Sequence, residues 1–247
     1  MKIATYNIWN DESLPGRTED LLREIVLCGA DIIGLQEVPR AFYEAARGLY
    51  LHGAYEPYEG EDEGLALLSR FPILQSERLF GRADALHVLI EADGMFLSVT
   101  NAHLPWRSIL QREEQIVFLE GFLQGVSADR QLLLGDFNGE SDSVHGFLTG
   151  LRSLRGTESD PVWLDAAANF ATLHGVAFAP TLDTISNPRW QGKNRAYAPK
   201  TMDRIYLRDS FSPFSFDDAR LFGTKANAAT GLCPSDHYGV LAEITFA

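Results

Sequence analysis

Cysteine is nearly absent from this chain. Its 247 residues hold two, Cys28 and Cys233, too few for a disulfide framework or a four-cysteine zinc site. Cys28 falls in a helical apolar pattern and reads as a small core hydrophobe. Long apolar runs are missing too, and nothing approaches the roughly 20 residues of a membrane helix. Basic charge is short: Lys and Arg total 21 against 34 Asp and Glu, a net charge of −13. Sequence-independent binding to duplex DNA needs many phosphate contacts from Lys and Arg. The balance argues against such binding and favours a site that recruits a cation. The opening residues, Met1 to Trp9, read directly as a strand rather than as an apolar targeting segment. A cytoplasmic monomer with no membrane association is expected.

What is present is an ordinary globular composition, 45% hydrophobic and 22% charged, which can fill a core. The length allows one large domain or two small ones. No repeat, low-complexity tract or linker divides the chain, so one domain over residues 1–247 is expected.

The opening pattern is strand–helix–strand–helix. Lys2 to Trp9 reads as a strand. Leu21, Leu22 and Ile25 give helical spacing over Arg17 to Cys28, with Gly29 to end the helix. Asp31 to Val38 is a buried strand, and Pro39 opens a helix reaching about Leu49. Leu51 to Glu63, polar and aromatic, reads as a loop. Strands follow at Leu65–Ser69, Gln75–Phe80, Leu86–Glu91 and Met95–His103, with Asp93-Gly94 as a hairpin turn. Ser108 to Leu123 reads as an amphipathic helix with Ile109, Ile116, Leu119 and Leu123 on one face. Leu132-Leu133-Leu134 is a short strand buried on both faces, and a short helix follows around Val144 to Leu151. Arg152 to Lys200 reads as irregular. Strands at Thr201–Leu207, Asp218–Phe222 and His237–Thr245 close the chain. The class is α/β with mixed sheets.

Polar residues gather where these strands end. Asn7 ends the first, Glu37 the second after Gln36, and His103 the strand through Ala102. Asp136 and Asn138 follow the leucine strand, Asp203 lies within Thr201-Met202-Asp203-Arg204-Ile205-Tyr206, and Ser235-Asp236-His237 introduces the last. Asp136 and Asn138 stand two apart, so on an extended backbone they point the same way. A carboxylate beside an amide that can donate and accept suits a phosphate next to a metal ion. Each residue alone has a plainer reading, as a turn, a solvated strand end or a structural histidine. Together they form an ordered set of acids, amides and two histidines at strand edges, where sheet proteins carry their sites.

The segments Thr5-Tyr6-Asn7, Leu35-Gln36-Glu37-Val38, Asn101-Ala102-His103-Leu104, Gly135-Asp136-Phe137-Asn138, Met202-Asp203-Arg204-Ile205 and Ser235-Asp236-His237 come in an order that resembles the endonuclease/exonuclease/phosphatase superfamily, the deoxyribonuclease I-like metal-dependent phosphohydrolases. The stretch Glu63 to Ile73 resembles a further segment of it. The resemblance implies a four-layer α/β (α+β) sandwich, with two packed mixed sheets flanked by helices and the site at one end. It implies a Mg²⁺ or Mn²⁺ ion held by Glu37, with Asn7 beside it and Asp236 as a further partner, all hard oxygen ligands. It gives Asp136 the attacking water, Asn138 a phosphoryl oxygen, and His237 the phosphate, with Asp203 fixing the His237 ring. His103 matches the second histidine of the nuclease and phosphatase branches and is assigned the protonation of the leaving oxygen. Whether Asp136 or His237 is the base stays open.

Two departures bear on the substrate. The abasic-site endonuclease branch has an Asp two residues after the first Asn, where this chain has Trp9, with Asn10 and Asp11 following. That branch also has a Tyr at the place of His103. Both differences, with the acidic charge, point away from DNA repair. Trp106, Arg112, Asn187 and Arg195 are the expected substrate-binding residues, on a small basic and aromatic rim. The expected substrate is a phosphorylated small molecule, a nucleotide or a single-stranded oligonucleotide end. A nuclease acting on DNA is the alternative, and a binding module without catalysis is the alternative of another class.

Overall fold

The computed structural model describes residues 1–10, 14–79, 81–139, 143–191 and 197–247. Asp11 and the expected substrate-binding residue Arg195 lie outside them. The chain runs β1 (Lys2–Asn7), α1 (Arg17–Cys28), β2 (Ile32–Pro39), α2 (Arg40–Arg47), β3 (His52–Pro57), β4 (Glu63–Ser69), β5 (Ile73–Arg78), β6 (Ala85–Ala92), β7 (Met95–His103), α3 (Ile109–Gln124), β8 (Arg130–Asp136) and α4 (Ser143–Leu148). It continues with β9 (Trp163–Asp165), α5 (Ala166–His174), a 3₁₀ turn (Pro188–Trp190), β10 (Asp203–Arg208), β11 (Phe214–Phe222) and β12 (Gly239–Phe246).

The strands form two six-stranded sheets, ordered β11-β12-β1-β2-β4-β3 and β5-β6-β7-β8-β10-β9. Each is mixed around one parallel pair, β1 with β2 in the first and β7 with β8 in the second. The apolar runs explain the layering. In Leu132-Leu133-Leu134, the outer two leucines join the core between the sheets, and Leu133 joins the core under α3 and α4. Ile32 and Ile33 divide in the same way, Ile33 packing against Leu21, Ile25 and Phe42 of α1 and α2. Successive strand residues point to opposite faces, so a continuous apolar run is what a strand with cover on both sides needs. The result is the expected four-layer sandwich.

A buried polar pin crosses between the sheets. The Asn101 side chain donates to the carbonyls of Leu35 and Ala66, both at 2.9 Å, and accepts from Gln36 Nε2 at 2.6 Å. Gly34 makes room for it: a Cβ there would meet Leu134 Cδ1 at 2.2 Å and Asn101 Cγ at 2.9 Å. Stranding one of these buried groups costs about 1–3 kcal/mol, so the pin holds one docking of the sheets.

Three local expectations are corrected. Leu51 to Glu63 contains β3, an edge strand half-buried along its length, which is why it lacks an apolar signature. The irregular stretch contains β9 and α5, with Asp165 capping α5 by accepting from the Ala168 N–H. Ile109 of α3 is exposed, and the buried place one turn on belongs to Arg112.

Candidate active site

The parallel pairs bring their carboxyl ends to one side, where α/β sheets offer a crevice. Asn7 is the last residue of β1, and His103 and Asp136 end β7 and β8 in register with each other. Antiparallel β10 begins with Asp203 opposite Asp136. His237 stands two residues before β12. Glu37 needs a distortion to arrive. The β2–β4 register shifts between Leu35 and Val38, and Glu37 takes a left-handed φ of 55°. Such a bulge re-aims a side chain. Trp9 (φ 40°) and Asn138 (φ 49°) share the left-handed region, so backbone strain concentrates around this cluster, as it does at sites that the surrounding fold over-determines.

The side chains converge on Asp136, which is buried. Its Oδ1 accepts the Asn138 N–H at 2.8 Å. Its Oδ2 accepts from Asn7 Nδ2 at 3.0 Å and faces His103 Nε2 at 3.7 Å and His237 Nε2 at 3.9 Å. Asn7 Nδ2 also donates to Glu37 Oε1 at 3.0 Å, and His103 Nε2 stands 3.8 Å from that same oxygen. Behind His237, Asp203 Oδ2 lies 2.8 Å from Nδ1. Gly135 permits the turn into Asp136: its φ is 139°, and a Cβ there would lie 1.9 Å from the Ala102 carbonyl oxygen.

Burial pulls the His237 imidazole toward its neutral form. The charges of Asp203 and Asp136, the Asp203 hydrogen bond and the Asp236 charge outweigh burial and hold the ring's pKa well above the usual histidine range. Burial raises the Asp236 carboxyl; His237 opposes the shift, while Glu37, Asp136 and Asp203 add to it. This is a knot of carboxylates around one charged imidazole. Hard carboxylate oxygens in excess fit a divalent cation such as Mg²⁺, which would offset their repulsion. Asp136, Asp203 and His237 each present a donor atom within 4.8 Å of the others, but the closest approach among them is the hydrogen bond from His237 to Asp203. Glu37 and Asp236 are the better candidates for ligands. Asn7 stands beside Glu37: its Oδ1 accepts the Trp9 N–H at 2.8 Å and its Nδ2 joins Glu37 to Asp136. Where the abasic-site branch carries an acid, the Trp9 indole lies between the guanidinium groups of Arg17 and Arg189, 6.0 and 5.4 Å from the ring centre.

The substrate side divides. Trp106 is exposed at the mouth of a cavity of about 800 Å³ that reaches Asn138. Arg112 also lines this cavity, and both Arg112 and Asn187 are buried and hydrogen-bond the protein's own carbonyls. Arg112 donates to Pro105 and Trp106 at 3.0 and 3.2 Å, and Asn187 to Ser235 and Asp236 at the same two distances. They fasten the Trp106 loop and the turn that carries His237. Trp190, Tyr197 and Lys200 also line the cavity. Tyr58 is absent from the expected site altogether, yet its hydroxyl lies 2.8 Å from His103 Nδ1. An aromatic residue in a polar stretch gives no sign of that contact.

No curated protein sequence matches the chain. Its structure is similar to that of D. rerio TDP2 complexed with single-strand DNA product, at a TM-score of 0.78 and 20% identity, covering 99% of this chain and 98% of that one. It is also similar to an endonuclease/exonuclease/phosphatase from Bacteroides vulgatus, at 0.76 and 18%, covering 100% and 98%. The mannosyl-6-phosphatase of Bacteroides thetaiotaomicron matches at 0.72 and 16%, covering all of both chains. These likenesses show the fold. The sequence pattern of the Endonuclease/Exonuclease/phosphatase family matches residues 4–237, a span that runs from β1 to His237 and takes in every residue gathered around Asp136. The chain belongs to that family of phosphoester-hydrolysing enzymes.

Proposed function

We propose that this protein is a divalent-metal-dependent phosphoesterase in which water attacks a compact phosphoester in line with the departing oxygen. The observation that carries the reading is the convergence of His103, His237 and Asn7 on one buried carboxylate, Asp136, across the two sheets. A Mg²⁺ or Mn²⁺ ion held by Glu37 and Asp236 would neutralise charge on the phosphoryl group and polarise it. The chain's own groups do the rest. His237, kept charged by Asp203, presents Nε2–H to a phosphoryl oxygen. Asn138 spends one amide hydrogen on the Leu104 carbonyl at 2.9 Å and has the second for another phosphoryl oxygen. Asp136, with its oxygens held by Asn7 and Asn138, orients the attacking water.

The cavity beside Asn138 has the size of a small-ligand site. Trp106, Trp190 and Tyr197 give it flat apolar walls, and Arg107 and Lys200 give it positive charge. This supports a phosphorylated small molecule, a nucleotide or a single-stranded oligonucleotide end. The neighbouring structures hold a single-strand DNA product in one case and belong to a sugar phosphatase in another, and both chemistries suit such a space. The test is hydrolysis of p-nitrophenyl phosphate against bis-p-nitrophenyl phosphate, with Mg²⁺ or Mn²⁺ and after exhaustive chelation. Turnover that vanishes with EDTA and returns with metal is expected, and the preferred ester separates monoester from diester chemistry. Undiminished turnover after chelation overturns the metal-dependent mechanism.

A further inference from the structure

Thr181 is fully buried and opens the loop that runs to the 3₁₀ turn. The next residue, Leu182, lies alongside the segment that leads into β10. Its N–H donates to the Lys200 carbonyl and its carbonyl accepts the Lys200 N–H, both at 2.9 Å. That alignment brings the Thr181 hydroxyl beside the start of β10. There its oxygen accepts two successive N–H groups, from Met202 at 2.9 Å and from Asp203 at 3.1 Å. Successive N–H groups aimed at one point form a concavity for an electron-rich atom, and a hydroxyl oxygen with two lone pairs can fill it. The carbonyl of the same threonine accepts the Tyr238 N–H at 2.7 Å. Met202 in turn accepts the Phe137 N–H on its carbonyl at 3.0 Å. One residue therefore stands among three segments. Its side chain holds the one that carries Asp203, its main chain holds the one that carries His237, and through Met202 it meets the one that carries Asp136.

His237 and Asp203 are 34 residues apart in the chain and meet at 2.8 Å, Nδ1 to Oδ2. The far side of the same ring keeps Nε2 3.9 Å from Asp136 Oδ2. Both distances depend on how the segments lie against one another. Thr181 exposes no surface to a substrate, so what it can set is the geometry of groups that do meet one. On the hydrolytic reading above, we propose that Thr181 is a positioning residue: its hydroxyl and carbonyl together fix the spacing of Asp203 and His237, and so the aim of His237 Nε2 at the phosphoester. The hydroxyl is the essential part. Without it two buried N–H groups lack their acceptor, which a folded chain does not tolerate in place, and one of the two belongs to Asp203 itself.

Two readouts test this. The first is kinetic and compares Thr181→Val, which keeps the shape and removes the acceptor, with Thr181→Ser, which keeps the acceptor and removes the methyl. With Mg²⁺ or Mn²⁺ and the preferred nitrophenyl ester, Thr181→Val should lower kcat by roughly tenfold, the scale on which an orienting partner acts. KM should be nearly unchanged, and Thr181→Ser should stay close to the parent. In an Asp203→Asn background the valine should cost little more, because groups that act as a unit do not add. The second readout needs no substrate and no metal. In protein labelled with ¹⁵N-histidine, the His237 Nδ1 resonance, assigned by its loss in His237→Gln, should move in Thr181→Val and stay in place in Thr181→Ser. If the valine variant does not fold, Thr181→Cys, whose sulfur is a weak acceptor, replaces it under the same criteria. Parent-like kcat with only a lower melting temperature, an equal loss in Thr181→Ser, a loss that multiplies with that of Asp203→Asn, or an unmoved Nδ1 resonance overturns the proposal. A parent protein that hydrolyses neither ester with either metal overturns the hydrolytic reading; the resonance then decides on its own whether Thr181 sets the pairing of His237 with Asp203.

Discussion

His237 and His103 approach the same oxygen of Asp136 through the same ring nitrogen, at 3.9 and 3.7 Å. They come from opposite sheets, and what stands behind each ring differs. Behind His237 is a buried carboxylate, Asp203; behind His103 is a phenol, Tyr58. A buried carboxylate brings a negative charge and accepts the Nδ1 hydrogen, whereas a phenol is an uncharged partner that can give a hydrogen or take one. Two identical side chains therefore reach one carboxylate with different chemistry, decided one residue further out.

The largest expected effect is on the His103 side, where Glu37 lies. Glu37→Ala should cost at least about 10³-fold in turnover with Mg²⁺ present, because it removes the carboxylate proposed as the principal metal ligand. Circular dichroism should show the fold retained. A variant with near-parent activity would take the metal away from this side.

The second effect isolates the other side. His237→Ala should lower kcat/KM by about 10³-fold, within the range for a lost proton-transfer or phosphate-contacting group. Asp203→Asn should cost about 10–100-fold, because it leaves the ring but misorients it. Groups that act as a unit do not add, so the double variant should be little worse than His237→Ala alone. If the two losses multiply in a double-mutant cycle, His237 and Asp203 do not form one unit and the contrast with His103 falls.

A third histidine sharpens the contrast by having neither backing. His87 is buried beside Phe122, with Nδ1 3.0 Å from the Thr100 hydroxyl. Burial lowers its pKa to about 4, so the folded protein keeps it neutral where an unfolded chain binds a proton. Between pH 6.5 and 4 the unfolded state takes up more protons, and stability falls as pH drops through that window. The contribution is about 2–3 kcal/mol by about pH 4.5. It should appear as a steeper fall in melting temperature for the parent than for His87→Gln. Parallel curves for the two proteins would refute it.

The smallest expected signal is binding of plain duplex DNA. The net charge of −13 opposes it, so an anisotropy titration near physiological salt should stay flat. A tight complex that weakens with salt would mean that both histidines face a duplex and would favour the nuclease alternative.

Much of this site was legible because its residues lie at strand ends, and strand ends are marked by where apolar runs stop. Asn7, Glu37, His103, Asp136, Asp203 and His237 all follow that rule. Tyr58 does not, since it follows an edge strand with no apolar run to mark it. The capped α5, opened by Asp165 and three alanines, carried a readable start signal that the irregular surroundings obscured. For Arg112 and Asn187 the sequence showed a basic and an amide side chain near the site, but not the loop carbonyls to which the structure ties them.

The way the chain divides between the sheets has a consequence in time. The second sheet is built from one continuous stretch, Ile73 to Arg208, and the first from both sides of it. During synthesis β5 to β10 are complete while β11 and β12 are still unmade, yet β12 packs on β10 and β11 on α5. The inner face of Ile205 and Leu207 must wait, uncovered, for its lid of late strands. Uncovered apolar strands on a growing chain are where aggregation begins. The last group to reach Asp136 is His237, so a ribosome-bound chain stalled before that residue carries a nearly finished sandwich with no working centre.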